Sequence, residues 1–170
     1  MLSIHSIQEL PALLAQMTLR EKIGQLNQCG NSIYNQDYQI GWSLLREGRI
    51  GSFLGVFEKE KITELQHIAV EETRLGIPLL FGYDVIHGFS TTFPVPWAEA
   101  CAWEPELAYK TARLSTMEAA SQGINWLYAP MVDVANDARW GRIVEGSGED
   151  PYLASRLAAA RVQGIQGEDM

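Results

Sequence analysis

The sequence predicts an α/β fold built on a parallel sheet, and two observations carry that prediction. Three short apolar runs of strand length, at 50–56, 77–83 and 124–129, are each followed by an irregular connection and then a segment with helical spacing. Repeated strand–helix alternation yields β-α units, whose crossovers are right-handed in nearly all cases, leaving a closed barrel or a doubly wound sheet. The longer connections are polar and punctuated by glycine, and they follow the strands' C-terminal ends, where either architecture holds its ligands.

The elements follow in order. Thr18-Leu19-Arg20-Glu21 reads as a capping box, in which hydroxyl and carboxylate satisfy free amides at a helix start. Leu19, Ile23 and Leu26 then share one helical face. The stretch 29–39 is rich in Asn, Tyr and Gly and reads as a loop, and a short helix ends at Gly48. After the first strand, Ile62, Leu65 and Ala69 recur at helical spacing, with Gly76 just past the end. The second strand, 77–83, is apolar on both alternating faces, as a strand covered on both sides must be. A loop is expected from 84 to about 103, then a helix from about 105 to 122 stopped by Gly123. The third strand at 124–129 leads into an irregular stretch from 133 to 148. Asp150-Pro151 is an N-cap followed by proline in the first turn. Leu153, Leu157 and Ala160 stripe the last helix, which Gly164 is expected to end.

Composition narrows the function. The 170 residues carry 13 Lys and Arg against 21 Asp and Glu, a formal net charge of −8. That balance argues against a nucleic-acid partner, since nothing offsets repulsion from phosphates. No apolar run approaches the roughly 18 residues of a membrane-spanning helix, so no membrane partner is expected. The opening Met-Leu-Ser-Ile-His-Ser lacks the form of a secretory signal, which makes a cytoplasmic location the expectation. Cys29 and Cys101 lie too far apart in sequence to suggest a disulfide framework. His5, His67 and His87 are scattered, and neither phosphate-binding glycine motifs nor a zinc signature occurs. No metal or cofactor is expected.

Two segments remain. In Gly82-Tyr83-Asp84-Val85-Ile86-His87-Gly88, a carboxylate ends an apolar strand. Asp84 either accepts from the hydroxyls of a ligand such as a sugar or caps the next turn. The second segment runs from Ala129-Pro130-Met131-Val132-Asp133-Val134 through Asp137-Ala138-Arg139-Trp140-Gly141-Arg142 to Glu145-Gly146-Ser147-Gly148-Glu149-Asp150. Arginine offers a rigid fork of donors to vicinal hydroxyls or carboxylates, and tryptophan can stack on a sugar ring or fill the core. The blander alternative is a structural ion cluster of Asp133, Arg139 and Glu145 that stiffens a long loop.

These motifs, with Thr92-Phe93-Pro94 and the opening Met17-Thr18-Leu19-Arg20-Glu21-Lys22-Ile23-Gly24-Gln25-Leu26, resemble the family 3 glycoside hydrolases in their β-glucosidase and β-xylosidase branch. The resemblance runs from about residue 11 to 170. One departure is Ala138, where the family has proline. The resemblance implies a (β/α) TIM-barrel-type domain that binds a non-reducing terminal sugar. It assigns Asp84, of the family's Asp-x-x-His-Gly motif, and Arg142, the second arginine of Arg-Trp-Gly-Arg, to substrate binding. His87 and Arg139 read as scaffold. The activity implied is retaining hydrolysis of terminal β-D-glucosyl residues, with a β-glucoside or oligosaccharide as substrate.

A retaining glycosidase needs two carboxyl groups about 5 Å apart. The family's Ser-Asp-Trp nucleophile motif and its Lys-His sugar motif do not occur in these 170 residues. Residues 1–170 are therefore expected to be the N-terminal portion of the barrel domain, about the first three β-α units, ending before strand four. No catalytic residue is assigned within the chain. The chain alone is expected to be inactive and to self-associate through an open sheet edge. The alternative is a catalytically silent remnant, or a sugar-binding subunit that needs a complementary half.

Overall fold

The computed structural model describes residues 7–30 and 38–167. His5 and the chain's opening residues fall outside that range, as does most of the loop expected at 29–39. Two compact units are present. One comprises the described residues up to Tyr83 together with Gln122–Trp126, and the other comprises Asp84–Ser121 and the described residues from Leu127 onward.

The first unit begins with α1 (Leu10–Gln16) and α2 (Leu19–Gln25). The capping box forms as expected: the Glu21 amide donates to Thr18 Oγ1 at 3.2 Å, and the Thr18 amide donates to Glu21 Oε2 at 2.8 Å. The apolar stripe of this helix does not reach the core. Leu19, Ile23 and Leu26 are exposed, whereas Glu21 and Gly24 are buried. The reason is a close backbone approach: a Cβ on Gly24 would sit 2.4 Å from the Gly48 carbonyl oxygen. Glu21 tolerates burial because Arg74 embraces it, with Nε to Oε1 at 3.0 Å and Nη2 to Oε2 at 2.6 Å.

Among the described residues four strands form one sheet, in the order β1 (Gln28–Gly30), β2 (Ser52–Leu54), β3 (Leu80–Tyr83) and β4 (Trp126–Leu127). The first two pairings are parallel, in register Cys29↔Phe53 and Phe53↔Phe81. Strand β1 corrects the sequence-based expectation of a loop beginning at Cys29. Three residues with polar Gln28 and Gly30 carry no alternating pattern, and only the neighbouring strand makes them a strand. On one face Cys29, Phe53 and Phe81 are buried, the two rings nearly parallel with centroids 6.1 Å apart. On the opposite face Leu54 and Leu80 are exposed, so the expectation of a second strand covered on both sides does not hold. Strand β4 is shorter than expected; just before it Asn125 N donates to Phe81 O at 3.2 Å and Phe81 N donates to Asn125 Oδ1 at 2.8 Å.

Helix α3 (Tyr38–Arg46) precedes β2, and α4 (Lys59–His67) follows it, extended by a wider turn at Ile68–Glu72. Ile62, Leu65 and Ala69 are buried as their spacing predicts. Gly123 turns the chain toward β4 with φ +99°, and any Cβ there would lie 2.8 Å from Ile62 Cγ2.

The second unit contains α5 (Pro96–Ala100), α6 (Pro105–Ser121) and α7 (Pro151–Gln166). Helix α5 interrupts the long loop expected from 84 to 103. Asp150 caps α7, accepting from Tyr152 N at 2.8 Å. Ala100, Ala108, Leu157 and Ala160 form the core, with Tyr109 and Leu153 packed against it. Gly164 does not end α7, which runs on to a cap at Gly167. Instead Gly164 admits the neighbouring helix, since its Cβ would lie 2.4 Å from the Tyr109 carbonyl oxygen.

Candidate carbohydrate-binding site

Asp84 follows β3 directly and is exposed. The loop it opens is pinned at its base. Phe93 N donates to His87 O at 2.8 Å, and His87 Nδ1 lies 3.1 Å from Phe93 O, so the ring carries its proton on Nδ1. Gly88 bridges Thr92 at φ +124°, where a Cβ would collide with Thr91 O. His87 thus ties the start of this loop to Phe93. Sequence reasoning missed Glu118 on α6. Its carboxylate accepts from Ser90 N at 3.0 Å, Thr91 N at 2.8 Å and Thr91 Oγ1 at 2.6 Å. The Thr91 hydroxyl and amide hold the Glu118 pKa below its ordinary value. A glutamate in mid-helix gives no sequence signal for this role.

The second segment leaves β4 through a cis Ala129–Pro130 bond. Arg139 turns back on Asp137, with Nε to Oδ1 at 2.9 Å and Nη2 to Oδ2 at 2.5 Å, while its side chain remains 90% exposed. Arg142 pairs with Glu145, Nε to Oε1 at 3.1 Å and Nη2 to Oε2 at 2.7 Å. The ion cluster of Asp133, Arg139 and Glu145 considered above is thus replaced by two separate local pairs. Short reach decides this, because each arginine takes the carboxylate two or three residues away.

The electrostatics converge on Arg142. Glu145 raises its pKa most strongly, and Asp133 and Asp84 add to the effect through space. In turn Arg142 lowers the Glu145 pKa, with a smaller through-space contribution from His87. Asp84 contributes least to the Arg142 shift, and the direct partner of Arg142 is Glu145. Nearby, Asp133, Val134, Asn136, Asp137 and the half-buried Trp140 line an open hollow of about 520 Å³. Among the described residues no group of three or more His, Cys, Asp and Glu side chains could hold a metal ion. No described helix is long and apolar enough to cross a membrane.

Strands joined in a sheet with parallel pairing and alternating with helices are the pattern of an α/β barrel-type domain. Residues 18–170 match the glycosyl hydrolase family 3 N terminal domain, and the chain belongs to that family. It is 38% identical over 156 residues to a periplasmic β-glucosidase of Salmonella typhimurium, covering 92% of this chain and 20% of the relative. A β-xylosidase of Formosa agariphila is 42% identical over 118 residues, which are 64% of this chain and 16% of the relative. Among solved structures, the β-glucosidase of Listeria innocua in complex with glucose superposes with a TM-score of 0.85 at 37% identity, covering 95% of this chain and 24% of that one. The chain thus spans about a fifth to a quarter of the length of these glucosidase relatives.

Proposed function

We propose that this chain supplies part of the subsite for a terminal non-reducing β-D-glucosyl residue in a retaining glycosidase, with Asp84 and Arg142 as its sugar contacts. The observation that carries the reading is the Arg142 guanidinium, oriented by Glu145 and lying within the field of Asp84 and Asp133. A fork of fixed donors beside acceptor carboxylates suits vicinal hydroxyls, which donate and accept in alternation. Solved complexes of the Listeria innocua β-glucosidase with glucose and with laminaribiose support a glucosyl unit as the ligand. In this reading the nucleophile and acid/base come from outside residues 1–170, which are the N-terminal portion of the barrel domain.

The test is glucose titration monitored by tryptophan fluorescence, together with turnover of an aryl β-glucoside. Residues 1–170 alone should bind weakly and turn nothing over, and Arg142→Ala should weaken that binding further. Turnover by 1–170, or unaltered affinity in Arg142→Ala, overturns the reading. A second reading, a sugar-binding subunit that docks on a complementary half, is favoured by the exposed Leu54 and Leu80 on one face of the sheet. Self-association through an open sheet edge, where ladder groups lack a partner strand, is a separate expectation of the reading.

A further inference from the structure

A buried ion pair lies behind the Arg142 loop. Arg161 on α7 and Glu99 on α5 each keep only 5% of their side-chain surface exposed. Two charges withdrawn from water to that extent are tolerated only when their hydrogen-bonding groups are met. Arg161 Nε and Nη2 both reach Glu99 Oε2, at 3.0 and 2.5 Å, and the Thr111 hydroxyl donates to Glu99 Oε1. Arg161 Nη2 also donates to the Pro96 carbonyl at 3.4 Å. The remaining donor, Nη1, leaves the helices and reaches Ser147 Oγ at 3.2 Å.

That contact falls on the turn that governs Arg142. Ser147 is buried between Gly146 and Gly148, the latter at φ +100°. Ala135 N donates to Gly148 O at 3.1 Å, so the turn is tied on both sides of its tip. Upstream, Gly146 N donates to Ile143 O at 3.4 Å and Glu145 N to Arg142 O at 3.0 Å. Glu145 then holds the guanidinium through two contacts. Hydrogen bonds thus run from Glu99 through Arg161 to Ser147, and the backbone from 147 back to 145 joins that anchor to the Glu145–Arg142 pair.

We infer that Arg161, locked by Glu99, is a positioning residue that fixes the Ser147 turn and through it the direction in which Arg142 presents its donors. This rests on the reading of Arg142 as a sugar contact. Arg161 touches no ligand itself. Positioning of this kind matters because a displacement of about 1 Å in a donor fork is enough to cost most of its benefit.

The experiment compares wild type, Ser147→Ala, the double substitution Glu99→Gln/Arg161→Met, Arg142→Ala, and Ser147→Ala/Arg142→Ala. The first double substitution neutralises the buried pair without leaving one charge orphaned. The readouts are glucose affinity, measured well below the melting temperature, and amide hydrogen exchange over residues 142–148. Ser147→Ala and Glu99→Gln/Arg161→Met should each weaken glucose binding about tenfold and speed exchange at Glu145 and Gly146. In the Arg142→Ala background, Ser147→Ala should change the affinity no further, because it acts through Arg142. Additive losses, or a lowered melting temperature with unaltered affinity and exchange, overturn the inference. If Arg142→Ala leaves glucose affinity unaltered, the sugar-contact reading fails instead. Exchange over 142–148 then still decides the positioning claim: faster exchange in Ser147→Ala upholds it and unchanged exchange overturns it.

Discussion

Arg142 and Glu145 meet edge to edge, Nε on Oε1 at 3.1 Å and Nη2 on Oε2 at 2.7 Å. The pair is three residues apart, and the 3₁₀ turn Ile143–Glu145 brings the carboxylate back beneath the guanidinium. Two parallel contacts remove the rotational freedom that a single one would leave. The remaining edge of the fork is what a ligand would read.

Glu145→Gln keeps the shape and removes the charge. The fork loosens, and glucose affinity should fall about three- to tenfold, since charge-assisted hydrogen bonds are roughly twice as strong as neutral ones. Isothermal titration is the check, and an affinity equal to wild type would show that Glu145 does not orient Arg142.

The same pair sets a pH dependence. Arg142 lowers the Glu145 pKa from its ordinary 4.5, so the carboxylate favours its charged form in the folded protein. The sign follows: the interaction is complete above the ordinary glutamate value and is lost as pH falls through the depressed one. Glucose affinity should be level from pH 7 to about 5 and should decline only below the ordinary glutamate value of 4.5. Titrations at pH 7, 5 and 3.5 test this, and a decline already complete at pH 5 would contradict it.

Asp84→Asn retains size but exchanges an acceptor oxygen for a donor. In a catalytically competent protein containing these residues, kcat/KM on an aryl β-glucoside should drop by about 10³-fold or more, as a site built for a hydroxyl rejects mismatched partners. Kinetics close to wild type would remove Asp84 from the subsite.

Glu21 gives a test of stability remote from the site. Arg74 and Thr18 hold its carboxyl down to about 2 against an ordinary 4.5. Its contribution is therefore present above pH 4.5 and lost as pH falls toward 2. Because Arg74 is itself 55% exposed, solvent screening limits that contribution to about 1–2 kcal/mol. Urea melts at pH 7 and 3 should differ more for wild type than for Glu21→Gln.

Gly164→Ala should destabilise the second unit by about 1–3 kcal/mol, because the added carbon meets the Tyr109 backbone at 2.4 Å. Thermal melts report this directly. A neutral effect would mean that α6 and α7 separate without cost.

Some of this was legible in local chemistry. The Thr18–Glu21 box, the Asp150 cap and the buried stripe of α4 need only neighbours within one helical turn, so residue order suffices. The family motifs likewise mark Asp84 and Arg142 as ordered strings, whatever their surroundings.

Order alone settled the class of the fold, the strand–helix alternation and the two loops that carry the polar groups. Tertiary structure decided which face of α2 turns inward, that Gln28–Gly30 is a strand, and that Glu118 and Arg161 brace the loops from behind. The physical reason is range. Caps and helical stripes are satisfied by residues close in the chain. Burial of a glutamate, pairing of a three-residue strand and anchoring of a turn depend on partners 14 to 62 residues away, whose positions no local pattern records.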